Sequence, residues 1–242
     1  MDSAYASAYP ELYQRHWWWR VREEILLRRI SPLLEGVGHS ARILDVGCGA
    51  GLFFDALQRF GRVEGIESDH WAVENAGKWR SNIFEGQLDA SFKPGLPYDA
   101  VLLLDILEHV QDPEQLLRDA GRLLTPAGRV VITVPAFNGL WTTHDDLNHH
   151  LRRYTAGRIR QTIANAGLVV ADSTYLFQSL VAPKLLVRLR ERLLASPASV
   201  PGIPAPPINS ALQAWFRLEY AMASWLPFGT SLMVVARLPN AR

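Results

Sequence analysis

The segment Ile43-Leu44-Asp45-Val46-Gly47-Cys48-Gly49-Ala50-Gly51 constrains this chain more than any other. An apolar run reaches an acidic residue and then glycines at every second position. Leu52 to Leu57 follows and reads as a helix. Strand, glycine loop and helix, in that order, build a nucleotide-like site at the carboxyl end of a strand in an open α/β sheet. Glycine is needed where a Cβ would forbid the turn or obstruct close approach of backbone to ligand.

Three kinds of ligand are bound by this layout. A phosphate loop would end in Gly-Lys-Ser/Thr, and no Lys follows. A dinucleotide loop is usually G-x-G-x-x-G/A, whereas the spacing here is G-x-G-x-G with Asp45 two residues before Gly47. A carboxylate there would repel a pyrophosphate and suits a ligand carrying an ammonium or sulfonium. Val63 to Glu67 reads as a second short strand ending in an acid, 16 residues after Gly51. Such an acid can accept both hydrogens of a ribose diol, or be an ordinary exposed strand end. Tyr98 to Asp105 is a buried strand, followed by Ile106-Leu107-Glu108-His109-Val110.

Alternating elements predict a parallel sheet with helices on both faces. Strands are expected near residues 41–46, 62–67, 82–85, 99–105 and 129–134. Residues 10–35 read as a helix ended by Gly36 and Gly38, with Trp18, Val21, Ile25 and Leu26 on one face. Asp112 as N-cap, Pro113 and Gln115 predict a capping box. Thr125-Pro126-Ala127-Gly128 reads as a turn. Residues 179–194 look helical, with Lys184, Arg188 and Arg192 on one side. Pro197, Pro201, Pro204, Pro206 and Pro207 mark an extended or loop stretch. An aromatic helix over 210–225 and a last strand from Ser231 to Leu238 complete the chain.

The series DVGCGAG, GIE, YDAVLLLDILEHV and LLTPAGRVVITVP resembles the class I S-adenosylmethionine-dependent methyltransferases. It is most similar to the small-molecule branch that includes ubiquinone and menaquinone biosynthesis enzymes. The likeness covers residues 40–135 well, and 155–178 and 228–238 more loosely. It implies a Rossmann-like α/β fold with a seven-stranded, mostly parallel sheet whose last strand is antiparallel. A single domain is expected: an N-terminal helical cap (1–38), the core sheet (39–178), a helical and Pro-rich insertion (179–227), and the last strand and tail (228–242).

The resemblance also implies a cofactor, S-adenosyl-L-methionine, leaving as S-adenosyl-L-homocysteine. Gly47, Gly49 and Gly51 would line its methionine part, Asp45 would help its ammonium, and Glu67 would take the ribose hydroxyls. Asp105 and Ile106 would face the methionine end or the substrate. Many relatives place Asp beside an apolar residue after the third strand. Here Gly86-Gln87-Leu88-Asp89 stands there, so Gln87 with Leu88 is expected at the adenine, with Asp89 as the alternative.

Trp141 to Tyr154 gathers His144, His149, His150, Asp145, Asp146, Arg152 and Arg153 after the fifth strand, where open α/β sheets bind ligands. A general base would come from His144, His149 or His109, the last four residues after Asp105 on what reads as one helical face. Arg152 and Arg153 could grip an anionic substrate group. His150, Tyr154 and Trp18 of the His16-Trp17-Trp18-Trp19 run complete the candidate substrate contacts. A metal held by His144, Asp145, His149 and His150, or a purely structural polar loop, are the other readings.

A net charge of +1 leaves no electrostatic footprint for nucleic acid. The only cysteine, Cys48, excludes an internal disulfide and a cysteine zinc cluster. The first 16 residues lack the apolar core of a signal peptide, and no run of 18 apolar residues is present. A cytoplasmic protein is therefore expected. The helices near 184–192 and 215–225 suggest either a peripheral membrane contact or substrate tunnel, or a solvated or dimer-forming surface. The expected activity is methyl transfer to a small or lipid-like acceptor, by O-methylation, with C-methylation open. The rivals are a nicotinamide-dependent oxidoreductase and a non-catalytic partner of the same fold.

Overall fold

Apolar runs that are buried along almost their whole length form the centre of a sheet covered on both faces. In the computed structural model these are β1 (Ala41–Val46), β2 (Gly61–Glu67), β4 (Tyr98–Leu104) and β5 (Leu124–Pro135). Shorter β3 (Ile83–Glu85), with β6 (Val169–Leu176) and β7 (Ser231–Arg237), completes a mixed sheet of order β3-β2-β1-β4-β5-β7-β6. The structure describes residues 3–35, 37, 40–194, 201–223 and 225–239. Gly36, Gly38 and Pro197, to which the sequence assigns a helix end and the start of a loop, lie outside the described residues.

β1 pairs in parallel with β2 on one side and β4 on the other, so Asp45 stands between Gly65 and Leu102. The chain winds one way from β1 towards β3 and the other way from β4 onward. This reversal is the switch point at which open α/β sheets hold ligands, outside the carboxyl ends of the strands. Gly47 and Asp105 leave β1 and β4 at that end.

The helices are α1 (Ser3–Arg15), α2 (Trp17–Leu34), α3 (Phe54–Leu57), α4 (His70–Glu74), α5 (Pro113–Arg122), α6 (Thr143–Leu147), α7 (Ala156–Asn165), α8 (Val181–Leu194) and α9 (Pro206–Ala223). The described chain groups into two compact units. The first holds residues up to Leu26, Pro135–Thr155 and Thr174–Leu232; the second holds Leu27–Val134, Ala156–Ser173 and Met233 onward. Within the first, Trp17 stacks on Phe216 with centroids 4.7 Å apart, and Asn209 Oδ1 accepts from the Trp17 amide at 2.9 Å.

Several local expectations differ from the fold. The single N-terminal helix is two, interrupted at His16, whose Nδ1 accepts from the Trp18 amide at 3.1 Å and so caps α2. The helix after the glycine loop is only the one turn of α3. Residues 105–109 form a turn, not a helix, closed by the His109 amide on the Ile106 carbonyl. Asp112 does cap α5 through the Gln115 amide, but the Gln115 side chain donates to Asp119 at 3.0 Å. Thr125–Gly128 lies inside β5 as a bulge, between the pairs Tyr98↔Leu124 and Ala100↔Arg129. α9 starts at Pro206, because proline is tolerated in a first helical turn where no amide is needed.

Leu102 is fully buried at the centre of β4, whereas Leu96 is exposed. Leu102→Ala should cost about 2–5 kcal/mol in urea unfolding, and Leu96→Ala within about 0.5 kcal/mol of nothing. Equal losses would contradict this placement of the core.

Candidate active site

The loop after β1 is hung on the end of β2. The Gly47 and Cys48 amides both donate to the Ile66 carbonyl, at 2.7 and 3.3 Å, and the Gly51 amide closes the turn on Cys48 at 3.0 Å. Gly47, Gly49 and Gly51 have φ of +71°, +56° and +69°, a region that side chains adopt at a cost of about 1–2 kcal/mol. A Cβ on Gly47 would also strike the Ile106 side chain, so loop and β4 end are fitted to each other. A Cβ on Gly49 would meet nothing within 4 Å. The glycine there presents bare backbone to open space, as a ligand cradle requires.

Glu67, at the end of β2, lies against the same loop. Its Oε2 accepts from the Gly49 amide and its Oε1 from the Asp69 amide, both at 2.8 Å. Asp45 is buried beneath the loop. Burial, with Asp45 and Glu67 nearby, pushes the Cys48 thiol well above its usual range, so it is a small neutral filler. Asp105 is a non-glycine at φ +58°, fixed by its amide on the Thr133 carbonyl at 2.9 Å and its Oδ1 on Thr133 Oγ1 at 3.0 Å. Strain held in this way clusters at functional sites. After β3, Gln87 is exposed and Leu88 buried. The Asp89 carboxylate is turned into its own loop by the Ser91 amide and hydroxyl, at 2.7 and 2.6 Å, which hold its pKa down.

The first unit carries a different centre. Thr142 and Asp145 form a reciprocal capping box at the start of α6. Asp145 is 0% exposed and is the hub of the loop. It meets the Thr142 amide at 2.9 Å, His150 Nδ1 at 2.9 Å and Arg153 Nη1 at 2.6 Å. Burial would raise the Asp145 carboxyl, but the His150 hydrogen bond and the charges of Arg153 and Lys184 outweigh it and hold the group far below its usual range. An imidazole on an ionised carboxylate carries its hydrogen on Nδ1, which leaves Nε2 as the basic nitrogen.

The other candidates are placed as follows. Arg153 is 3% exposed, and its remaining nitrogens donate to the carbonyls of Ala136 (2.8 Å) and Thr230 (3.1 Å). Tyr154 is buried, with its backbone paired to Pro135 and Phe137. Arg152 is half-buried. Trp18 is half-buried against Phe177 at 5.7 Å. His149, at φ +57°, and His109 are exposed. Burial and Lys184 lower His144 to about 4, so it is neutral at pH 7. Among the described residues, His144, Asp145, His149 and His150 do not converge as a set of metal ligands.

Two residues of this centre were not singled out from the sequence for it. Glu191 takes the Thr143 amide and hydroxyl at 3.0 and 2.8 Å, and Lys184 lies close enough to Asp145 to feel its charge. Burial and Arg153 lower Lys184 to about 8, against the pull of Asp145 and Glu191. The available signal was Thr142-x-x-Asp145, a capping pattern that also buries its carboxylate.

The chain belongs to the family described as a methyltransferase domain, which matches residues 18–173. Its fold is that of the class I S-adenosylmethionine-dependent methyltransferases. A ubiquinone biosynthesis O-methyltransferase of Albidiferax ferrireducens is 33% identical over 149 residues, covering 53% of this chain and 57% of that protein. Another, of Pseudomonas paraeruginosa, is 32% identical over 148 residues, covering 55% and 63%. The chain thus spans less than two thirds of either relative's length. A solved S-adenosylmethionine-dependent methyltransferase of Archaeoglobus fulgidus superimposes with a TM-score of 0.55 at 15% identity, over 88% of this chain and 93% of that one. At that identity it shows the shared fold alone.

His144 sits near 4 in the folded protein, against 6.5 in an unfolded chain. Between pH 6.5 and 4 the unfolded state therefore binds a proton that the native state refuses, and stability should fall as pH drops through that window. Asp145 acts only below it. Thermal melts of His144→Gln should lose less Tm across the window than the wild type; equal losses would remove His144 from this role.

Proposed function

We propose that this methyltransferase transfers the methyl group to a hydroxyl of a small or lipid-like aromatic acceptor, with His150 taking the proton. The observation that carries the reading is the pairing of partly exposed His150 with the buried Asp145 carboxylate. The named activity of the relatives, O-methylation in ubiquinone biosynthesis, supports the same acceptor chemistry.

Bound S-adenosylmethionine supplies a methyl group on a sulfonium, already activated for in-line displacement. Gly47, Gly49 and Gly51 give its methionine part bare backbone, and Asp45 answers its ammonium through the loop. Glu67 accepts from the ribose hydroxyls, which its place against Gly49 supports. Gln87 and Leu88 serve the adenine, since Asp89 is engaged with Ser91. Asp105 and Ile106 bound the methionine end.

His150 Nε2 would take the acceptor's O–H proton, and the bound sulfonium would supply the methyl group to the acceptor oxygen and leave as the thioether S-adenosyl-L-homocysteine. Asp145 holds the imidazole in the required tautomer and stabilises the imidazolium that forms. His150 fits this step better than the other imidazoles. His144 is lowered to about 4, and His109 and His149 stand exposed, whereas His150 is held by the buried Asp145 carboxylate. Arg153 holds Asp145, while Trp18, Arg152 and Tyr154 are assigned to the acceptor's surroundings.

The test uses methyl-labelled S-adenosylmethionine with prenylated catechols, read by mass spectrometry. O-methyl product is expected. His150→Gln should lower kcat by about 10²–10⁴-fold, the usual worth of a positioned base, with affinity for S-adenosylhomocysteine unchanged. Unchanged kcat in His150→Gln would remove the base, and product methylated on ring carbon would remove the O-methyl reading.

A further inference from the structure

Helix α8 is inside out. The side chains that tie it to its own unit are polar. Arg188 Nη1 donates to the carbonyls of Asn138, at 3.0 Å, and Gly139. The Glu191 carboxylate takes the Thr143 amide and hydroxyl, and Lys184 stands near Asp145. Residues 184, 188 and 191 share one side of a helix. On the opposite side Leu186, Leu189 and Leu193 are 67%, 54% and 73% exposed, and none of the residues of α8 is buried. A helix lying on a globular core shows the reverse pattern, with its apolar stripe inward.

Helix α9 adds a second stripe. Ile208, Trp215, Leu218 and Met222 recur along one side and are all exposed, and Trp225 just beyond is 77% exposed. Phe216 and Glu219, on the side adjoining that stripe, are buried. Exposed apolar surface of this extent marks an interaction site.

We infer that α8 and α9 form a docking surface for an anionic lipid bilayer. Charge decides the occupant. Arg190 and Arg192 flank the leucine stripe and are exposed, while Glu191, the only acid of α8, is turned inward to Thr143. The outward face therefore offers leucine and guanidinium, which suits acyl chains beneath anionic headgroups. Tryptophan is the residue favoured at that boundary, its ring in the apolar layer and its N–H towards polar groups. A second copy fits less well: symmetric pairing through α8 would bring like charges together with no acid to answer them. Among the described residues no helix is long and apolar enough to cross a membrane, so the contact is with the surface. The inference stands apart from the proposed acceptor, since docking is read from the surface alone.

The full chain should co-sediment with vesicles of phosphatidylglycerol and phosphatidylcholine, and much less with phosphatidylcholine alone. Each cation near an anionic surface is worth about fivefold, so Arg190→Glu with Arg192→Glu should weaken binding by about 25-fold or more. Leu186→Ser, Leu189→Ser and Leu193→Ser together should abolish binding while leaving the circular dichroism spectrum unchanged, because all three side chains are exposed. A wild type that stays in the supernatant with both vesicles would overturn the inference. So would full binding by the triple variant, or a wild-type dimer in sedimentation velocity that the triple variant turns into a monomer.

Discussion

The parallel ladder between β1 and β4 brings two chain reversals to the same end of the sheet, and the candidate site depends on it. From β1 the chain enters a loop of left-handed glycines. From β4 it enters a turn through Asp105, also left-handed but without glycine's freedom. Ile106 fills the space that a Gly47 Cβ would take. The turn through Asp105 could not keep this shape alone, because a left-handed non-glycine costs about 1–3 kcal/mol and needs surrounding contacts to hold it, while the glycines of the first loop need only their path fixed. Here those contacts are backbone bonds to Ile66 and Thr133, at the ends of neighbouring strands. Glu67 is delivered by β2 on the other side of β1, so an acid and a stretch of bare backbone are set side by side by the same register.

The loop after β5 follows another logic. Asp145 is a buried carboxylate surrounded by His150, Arg153 and Lys184. Such a group persists only when its partners answer its charge, and removing one partner typically costs about 3–5 kcal/mol. Arg153 spends its nitrogens on Asp145 and two carbonyls, which makes it a clamp for the loop. His150 is thereby held by one ring nitrogen. The same packing lowers the neighbouring His144 to about 4 and makes it a neutral filler.

Much of the sheet could be read in advance, because buried strands write themselves as apolar runs and the glycine loop has few other uses. Asp45, Gly47, Gly49, Glu67 and Asp105 meet at one end of the sheet, as their spacing suggests. Features that depend on side-chain alternatives were harder to read. His16 looks like a helix residue until its imidazole caps the next helix. Thr125–Gly128 has turn composition, yet Asp99 Oδ1 takes the Thr125 hydroxyl at 3.2 Å and the segment bulges within β5. Arg153 reads as an anion ligand because a formal charge says nothing of burial. The polarity of α8 was visible as Lys184, Arg188 and Arg192, but only the packing shows that Arg188, with Glu191, turns inward while Arg192 stays exposed.

The central claim is that the glycine loop with Glu67 holds S-adenosylmethionine. Isothermal titration of S-adenosylhomocysteine, with NAD as control, tests it most directly, on the wild type and on Gly49→Ala. Saturable binding of the first ligand, none of NAD, and at least about tenfold weaker binding in Gly49→Ala are expected, since one misplaced methyl in a close-fitting site is worth about 1–3 kcal/mol. Binding of NAD alone, or an unchanged affinity in Gly49→Ala, would contradict the account.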